Sequence, residues 1–141
     1  MRFYEATSTI AAAPDAVWPV LVDGAAWPQW DSGVDGVEGR IALDQKIKIR
    51  SQAAPGRAFA VRVTSLEPER ALRLSGGMPL GLFKGVRTYS LAPDGTGGTT
   101  FYLREEYSGP LLGLIWRSMP DLGPSFRQFA EGLKKRVESG R

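Results

Sequence analysis

Arg87 and Glu105 are the two charged residues whose positions could carry them inside the molecule. In the stretch 83–92, Arg87 has the parity of Tyr89 and Leu91; in 98–108, Glu105 has the parity of Phe101 and Leu103. Strand side chains alternate between faces, so both charges fall on the side that their apolar neighbours must bury. If Leu91 pairs with Phe101 across the intervening turn, Arg87 stands opposite Glu105. A buried charge is costly unless paired, and a guanidinium matches a carboxylate with two parallel hydrogen bonds. The couple therefore reads either as an internal ion pair or as a device that orients a ligand's carbonyl or carboxylate. No catalytic residue is assigned. The chain has no histidine, so any acid–base work would fall to Glu105, Arg87 or the tyrosines, in a water-poor pocket able to raise a carboxylate's pKa.

The same inner face, followed along the strands, gathers Tyr4, Phe59, Val61, Leu72, Leu74, Tyr89, Phe101 and Tyr107. Such residues fill a core in most sheets. Several tyrosines on one face also fit a partly wet cavity, because a buried phenol needs a partner for its hydroxyl. The segment Gly76–Leu82 is glycine-rich and apolar, without the Lys-Ser/Thr of a phosphate cradle. It fits a lid over a hydrophobic opening or an ordinary loop. Four tryptophans invite the idea of an aromatic cage, but Trp18 reads as core, and Trp116 lies at the edge of an apolar stripe, near the mouth of any cavity. With no cysteine and no histidine, disulfides and thiolate chemistry are excluded and the commonest metal ligand is missing; neither metal nor cofactor is expected.

These residues need elements to position them. The chain's 141 residues, 43% hydrophobic and 23% charged, suit one domain with one core rather than a disordered chain, so a single domain over 1–141 is expected. Alternation predicts a first strand over 2–12 and six more near 34–41, 45–52, 58–66, 70–77, 83–92 and 98–108. Lys46 to Arg50 alternates most cleanly. Lys46, Lys48, Arg50, Arg62 and Arg73 then form a basic convex face, either solvated or a docking surface. The net charge of +3 is mild and spread along the chain, so nucleic-acid binding is not expected. Between the first two strands, Pro14 and Asp15 open a short helix over 14–22, with Pro19 predicted to bend it or end it near Trp18; a second short helix or turn follows over 24–30. No apolar run reaches the roughly 20 residues of a membrane helix and no secretory segment precedes the first strand, so a cytoplasmic protein without integral membrane contact is expected.

After Pro110 the apolar period becomes helical: Ile115, Met119, Leu122, Phe126, Phe129, Leu133 and Val137 recur every three or four residues. Pro120, Gly123 and Pro124 interrupt the stripe, which predicts a kinked helix or two in series, bent between Met119 and Pro124. Residues 125–137 are expected to bury Phe126, Phe129, Leu133 and Val137 against Ile49, Val61 and Leu74. A broken helix cannot lie flush along a curved sheet. A cavity of roughly 300 to 1,000 Å³, the usual size of a ligand pocket, is therefore expected between the sheet and residues 111–126, with Ile115, Met119, Leu122 and Phe126 on its helical side.

One strand, two short helices, six strands and a long final helix form an α+β order. Ile10 to Trp18 (Ile-Ala-Ala-Ala-Pro-Asp-Ala-Val-Trp), Trp27-Pro-Gln-Trp30, Thr88 to Asp94 with Thr99 to Glu106, and the closing Phe129 to Glu138 together resemble the START-like (SRPBCC) superfamily. More narrowly they resemble its polyketide cyclase/dehydrase and lipid-transport group, across essentially the whole chain. The resemblance implies a helix-grip fold, a curved seven-stranded antiparallel sheet around a long kinked C-terminal helix. It also implies that Trp30 closes the core beside the short helices. The function it implies is binding or transport of a hydrophobic small molecule such as a lipid, quinone or polyketide-like compound. A cyclase or dehydratase acting on such a molecule is the enzymatic alternative, and an interaction module using the basic sheet face is a third. Fold alone does not choose among them.

Overall fold

The computed structural model describes residues 2–140. Its strands are β1 (Arg2–Ile10), β2 (Val34–Glu38), β3 (Lys46–Ser51), β4 (Ala58–Glu67), β5 (Ala71–Gly77), β6 (Lys84–Pro93) and β7 (Thr99–Ser108). Helix α1 (Pro14–Leu21) and a 3-10 helix (Gly24–Gln29) lie between β1 and β2, and α2 (Leu112–Ser118) and α3 (Gly123–Ser139) follow β7. Among the described residues these strands make one antiparallel sheet in the order β1-β7-β6-β5-β4-β3-β2. From β2 to β7 consecutive strands pair as neighbours, and β7 pairs on its other side with β1, Tyr4 opposite Glu105 and Ser8 opposite Phe101.

Two strands stop short of the predicted ends because their backbone groups are taken elsewhere. Past Ile10, the Ala11 N–H donates to the Glu138 carboxylate at 2.8 Å and the Ala12 carbonyl accepts from the Thr99 hydroxyl at 2.7 Å. Past Glu38, Gly39 takes φ +98, a left-handed conformation that turns the chain out of the sheet. A bulge between Val63 and Ser65 resets parity in β4, so that Leu66 comes opposite Leu72.

The inner face holds the core, including Ile47, Val63, Leu72, Tyr89, Phe101 and Leu103. Lys46, Lys48, Arg50, Arg62 and Arg73 are exposed on the other face, and three of these cations have local partners. Arg50 meets Glu38 at 3.3 Å, Arg62 donates to the Asp44 carbonyl at 2.8 Å, and Arg73 donates to the Thr88 hydroxyl at 3.2 Å. Phe59 departs from its expected burial. It keeps the inward parity but is 44% exposed, because the final helix does not extend over that end of β4.

Helix α3 buries Phe126, Phe129, Leu133 and Val137. Its neighbours are chiefly β1, then α1 and β7, not the β3–β5 surface expected from the sequence. The Ser8 hydroxyl donates to the Ala130 carbonyl at 2.9 Å and the Lys134 ammonium to the Thr9 carbonyl at 2.6 Å. Phe129 sits in an aromatic cluster with Trp27, Trp30, Tyr89 and Phe101, ring centroids 5.1–6.1 Å apart. Gly132 lets the helix lie directly on the Asp31 carbonyl, where a Cβ could not fit. The sheet curls away beyond this line of contact, and Ile49 and Leu74, though buried in the core, and the partly buried Val61 line a cavity.

The predicted bend is a full break. Met119 is extended (φ −74, ψ 137), the conformation favoured before a proline, and Pro124 is the second residue of α3, in the first turn where a missing N–H costs no helical hydrogen bond. Pro19, in contrast, does not end α1 near Trp18. The helix reaches Leu21, the Val22 N–H bonds the Trp18 carbonyl at 3.0 Å, and the buried Val17 and Leu21 hold the segment down. Trp18 and Trp30 pack against the core from its edge, while Trp27 is the tryptophan fully enclosed by it, its indole N–H donating to the Leu21 carbonyl at 3.0 Å.

Candidate functional site

Between the curled sheet and the α2–α3 corner lies a cavity of about 710 Å³. The break at Pro120 sets it there: α3 follows β1, α2 turns off at an angle, and the concave surface of β3–β6 beneath is left uncovered. Ile115, Met119, Leu122 and Phe126 line the helical side, and Phe59, Val61 and Leu74 the sheet side. Phe59 and Met78, 44% and 42% exposed, stand at its rim.

The floor is made by side chains that are missing. Gly76 and Gly85 are direct partners across β5 and β6 and both line the cavity. Neither has room for more: a Cβ at Gly76 would come within 2.8 Å of Val61 Cγ1, and one at Gly85 within 2.5 Å of Glu105 Oε2. A glycine inside a strand marks such close approaches.

Beside this floor the predicted pair is realised. Leu91 is opposite Phe101 and Arg87 opposite Glu105. Arg87 Nε and Nη2 each lie 2.7 Å from Glu105 Oε1, and the guanidinium rests 4.6 Å from the centre of the Phe126 ring, a cation–π contact. The side chains keep 29% and 17% exposure, which opens into the cavity they line. Burial disfavours the arginine's charge, but the Glu105 carboxylate and the neighbouring Tyr89 and Tyr107 phenols together outweigh it and hold the guanidinium's pKa above its ordinary value. Burial pushes the phenols of Tyr89 and Tyr107 up, opposed in both by the charge of Arg87 and reinforced by that of Glu105. Their hydroxyls, with the Trp30 indole N–H, are buried without a partner at hydrogen-bonding distance among the described residues.

Four residues expected around a ligand stand elsewhere. Leu72, Tyr89 and Phe101 are fully enclosed in the core, one pleat beyond the cavity, where the helix does meet the sheet. Tyr4 lies behind the lining residues, stacked on Trp116 at 5.3 Å and edge-on to Tyr107 at 6.1 Å, its hydroxyl 3.4 Å from the Pro120 carbonyl. Trp116, placed near the mouth by the sequence, packs on Tyr4 and Tyr107 instead and does not line the cavity. The segment Gly76–Leu82 is a tied hairpin tip and not a free loop: β5 runs to Gly77, the Met78 N–H bonds the Phe83 carbonyl at 2.8 Å, and Leu111 N–H bonds the Leu82 carbonyl at 2.9 Å. The sequence reading missed Gly76, Gly85, Ile49 and Leu103 as lining residues. Strand parity carried that signal, since each shares the inner face with a residue that was found. Among the described residues no group of three His, Cys, Asp or Glu side chains is placed to hold a metal ion.

The sequence model of the polyketide cyclase/dehydrase and lipid-transport family matches residues 1–138. The chain belongs to this family. No protein of curated function matches it in sequence. Solved structures of the same shape include an aromatase/cyclase from Streptomyces sp. R1128, 16% identical with a TM-score of 0.74 over 97% of this chain and 93% of that one. A START superfamily protein from Mycobacterium smegmatis is 18% identical with a TM-score of 0.71 over 99% of each chain. Norcoclaurine synthase from Thalictrum flavum, in complex with a transition-state analogue, is 17% identical with a TM-score of 0.74 over 99% of this chain and 95% of that one. At such identities the likeness concerns the fold. Family and fold fit a protein that binds a hydrophobic ligand or acts as a polyketide cyclase, and no helix among the described residues is long and apolar enough to cross a membrane.

Proposed function

We propose that this family member binds and carries a hydrophobic small molecule, of lipid, quinone or polyketide-like type, in the cavity under the α2–α3 corner. The observation that carries the reading is an unfilled space of about 710 Å³ beside a core whose residues are otherwise closely packed. Interiors are normally filled to crystal-like density, and a space of this size with mostly apolar walls and a few polar groups is the usual form of a ligand site. Native mass spectrometry after gentle purification is the direct test, with lipophilic mass retained on the chain as the expected result. Added ligand should also raise the melting temperature, since saturation to about 100 times Kd stabilises a protein by roughly 2.7 kcal/mol. Leu122→Trp and Met119→Trp, which fill the cavity, should lower that shift more than they lower the melting temperature of the free protein. A free protein with no retained ligand and no thermal shift with any lipophilic compound would overturn the reading.

A second reading, a cyclase or dehydratase, draws on the convergence of Arg87, Glu105 and Tyr107 on one wall of the cavity. Among the described residues Glu105 is the only carboxylate lining the cavity, so this reading expects turnover of a bound polyketide-like substrate to vanish in Glu105→Gln while binding persists.

A further inference from the structure

The chemistry of the ligand's polar end follows from how the charges in the cavity are already committed, on the reading that the cavity is a ligand site. Among the described residues three charged ones line it: Arg57, Arg87 and Glu105. Arg57 is exposed, on the loop before β4, so the charge at depth is the Arg87–Glu105 pair alone, and it sums to zero. The two short contacts of the guanidinium converge on Oε1, while one face of it is covered by Phe126. Glu105 Oε2 instead lies over the bare backbone of Gly85, and both residues line the cavity. An ionised carboxylate only accepts hydrogen bonds. The group offered to a ligand is therefore an acceptor beside a matched cation, next to a neutral phenol, Tyr107, that is 3% exposed.

We propose that this cavity selects ligands whose polar end is a neutral hydroxyl, alcohol or phenol, and discriminates against ligands that end in a carboxylate. A hydroxyl donates its proton to Glu105 Oε2 without disturbing the pair. A ligand carboxylate has no proton to give, would compete with Glu105 for the one deep guanidinium, and would place two like charges side by side in a poorly solvated space, which disfavours both. Long-chain acids and hydroxylated compounds of the same apolar body are thus separated by this one residue.

The test uses three probes of one ring system at neutral pH: pyrene, 1-hydroxypyrene and pyrene-1-carboxylate, titrated by fluorescence into the full chain. The hydroxyl probe should bind about tenfold or more tighter than the carboxylate, the size expected from one hydrogen bond to a charged group, and also tighter than the parent hydrocarbon. Glu105→Gln leaves Arg87 without its counter-charge and should bring the carboxylate level with the hydroxyl probe or ahead of it. A wild-type protein that binds the carboxylate as well as the hydroxyl probe overturns the proposal, as does an unchanged order in a folded Glu105→Gln. The wild-type ratio needs no variant, so it decides the matter even where the variant does not fold. If pyrene itself binds and the ratio is absent, only the head-group inference fails; if none of the three binds, the ligand site fails with it.

Discussion

The Arg87–Glu105 pair is held less by its own attraction than by what surrounds it. Removing one member of a buried pair commonly costs about 3 to 5 kcal/mol because the other charge is stranded, while the intact pair adds little over apolar side chains. Here both residues keep contact with the cavity, which reduces that penalty. The two phenols beside the pair make a clearer prediction. Tyr107 and Tyr89 hold their protons more tightly in the folded protein than the ordinary value of 10.0, so below that pH neither contributes a pH dependence. As pH rises past about 10 the unfolded chain releases phenol protons that the folded chain retains, and stability falls by up to roughly 1.4 kcal/mol per pH unit for each such phenol. Urea midpoints measured on either side of that pH should show the loss, and Tyr107→Phe should make it shallower. Strand parity made the ion pair legible in advance: Arg87 and Glu105 follow from alternation and one hairpin register. The floor was not legible in the same way, because Gly76 and Gly85 shape the cavity by lacking side chains, and a search for chemistry-bearing residues passes over them.

At the scale of elements, the helical stripe after Pro110 identified which side chains α3 buries, but not what they meet. A stripe gives the face of one helix and says nothing about the curl of the sheet that receives it. Phe129 therefore packs on Trp27, Trp30, Tyr89 and Phe101, where Ile49, Val61 and Leu74 were expected. Phe129→Ala should cost about 3 to 5 kcal/mol, the usual range for deleting a buried ring, read as a lowered denaturant midpoint with the slope unchanged. Ligand affinity in that variant should fall as well, since the Phe129 ring also lines the cavity. Two of the prolines, Pro120 and Pro19, illustrate the same limit. Pro120 breaks its helix, as local sterics require, while Pro19 sits in a short helix whose core contacts at Val17 and Leu21 hold it to its end.

At the scale of the whole molecule, sheet and helices divide the concave surface into a sealed half under α3 and an open half under α2. The order of elements and the family resemblance made the architecture legible; the dividing line between the halves was not, because it depends on where the sheet curls. The open half includes the place where β5 and β6 are joined by backbone alone, Gly76 opposite Gly85. Cross-strand side-chain contacts are a main source of a sheet's local rigidity, and this row of the sheet has none of its own. A molecule in the cavity would press on Val61 and Glu105, the side chains that cover Gly76 and Gly85, and so brace the two strands from above. Occupancy should then be felt in the scaffold as well as in the cavity: hydrogen exchange at the amides of Gly76, Gly77, Lys84 and Gly85 should slow on binding by more than that of β2 and β3, at the far edge of the sheet. Uniform slowing across the sheet would instead mean that the ligand merely stabilises the fold as a whole. The empty protein, on this view, has a seam through its sheet that its cargo closes.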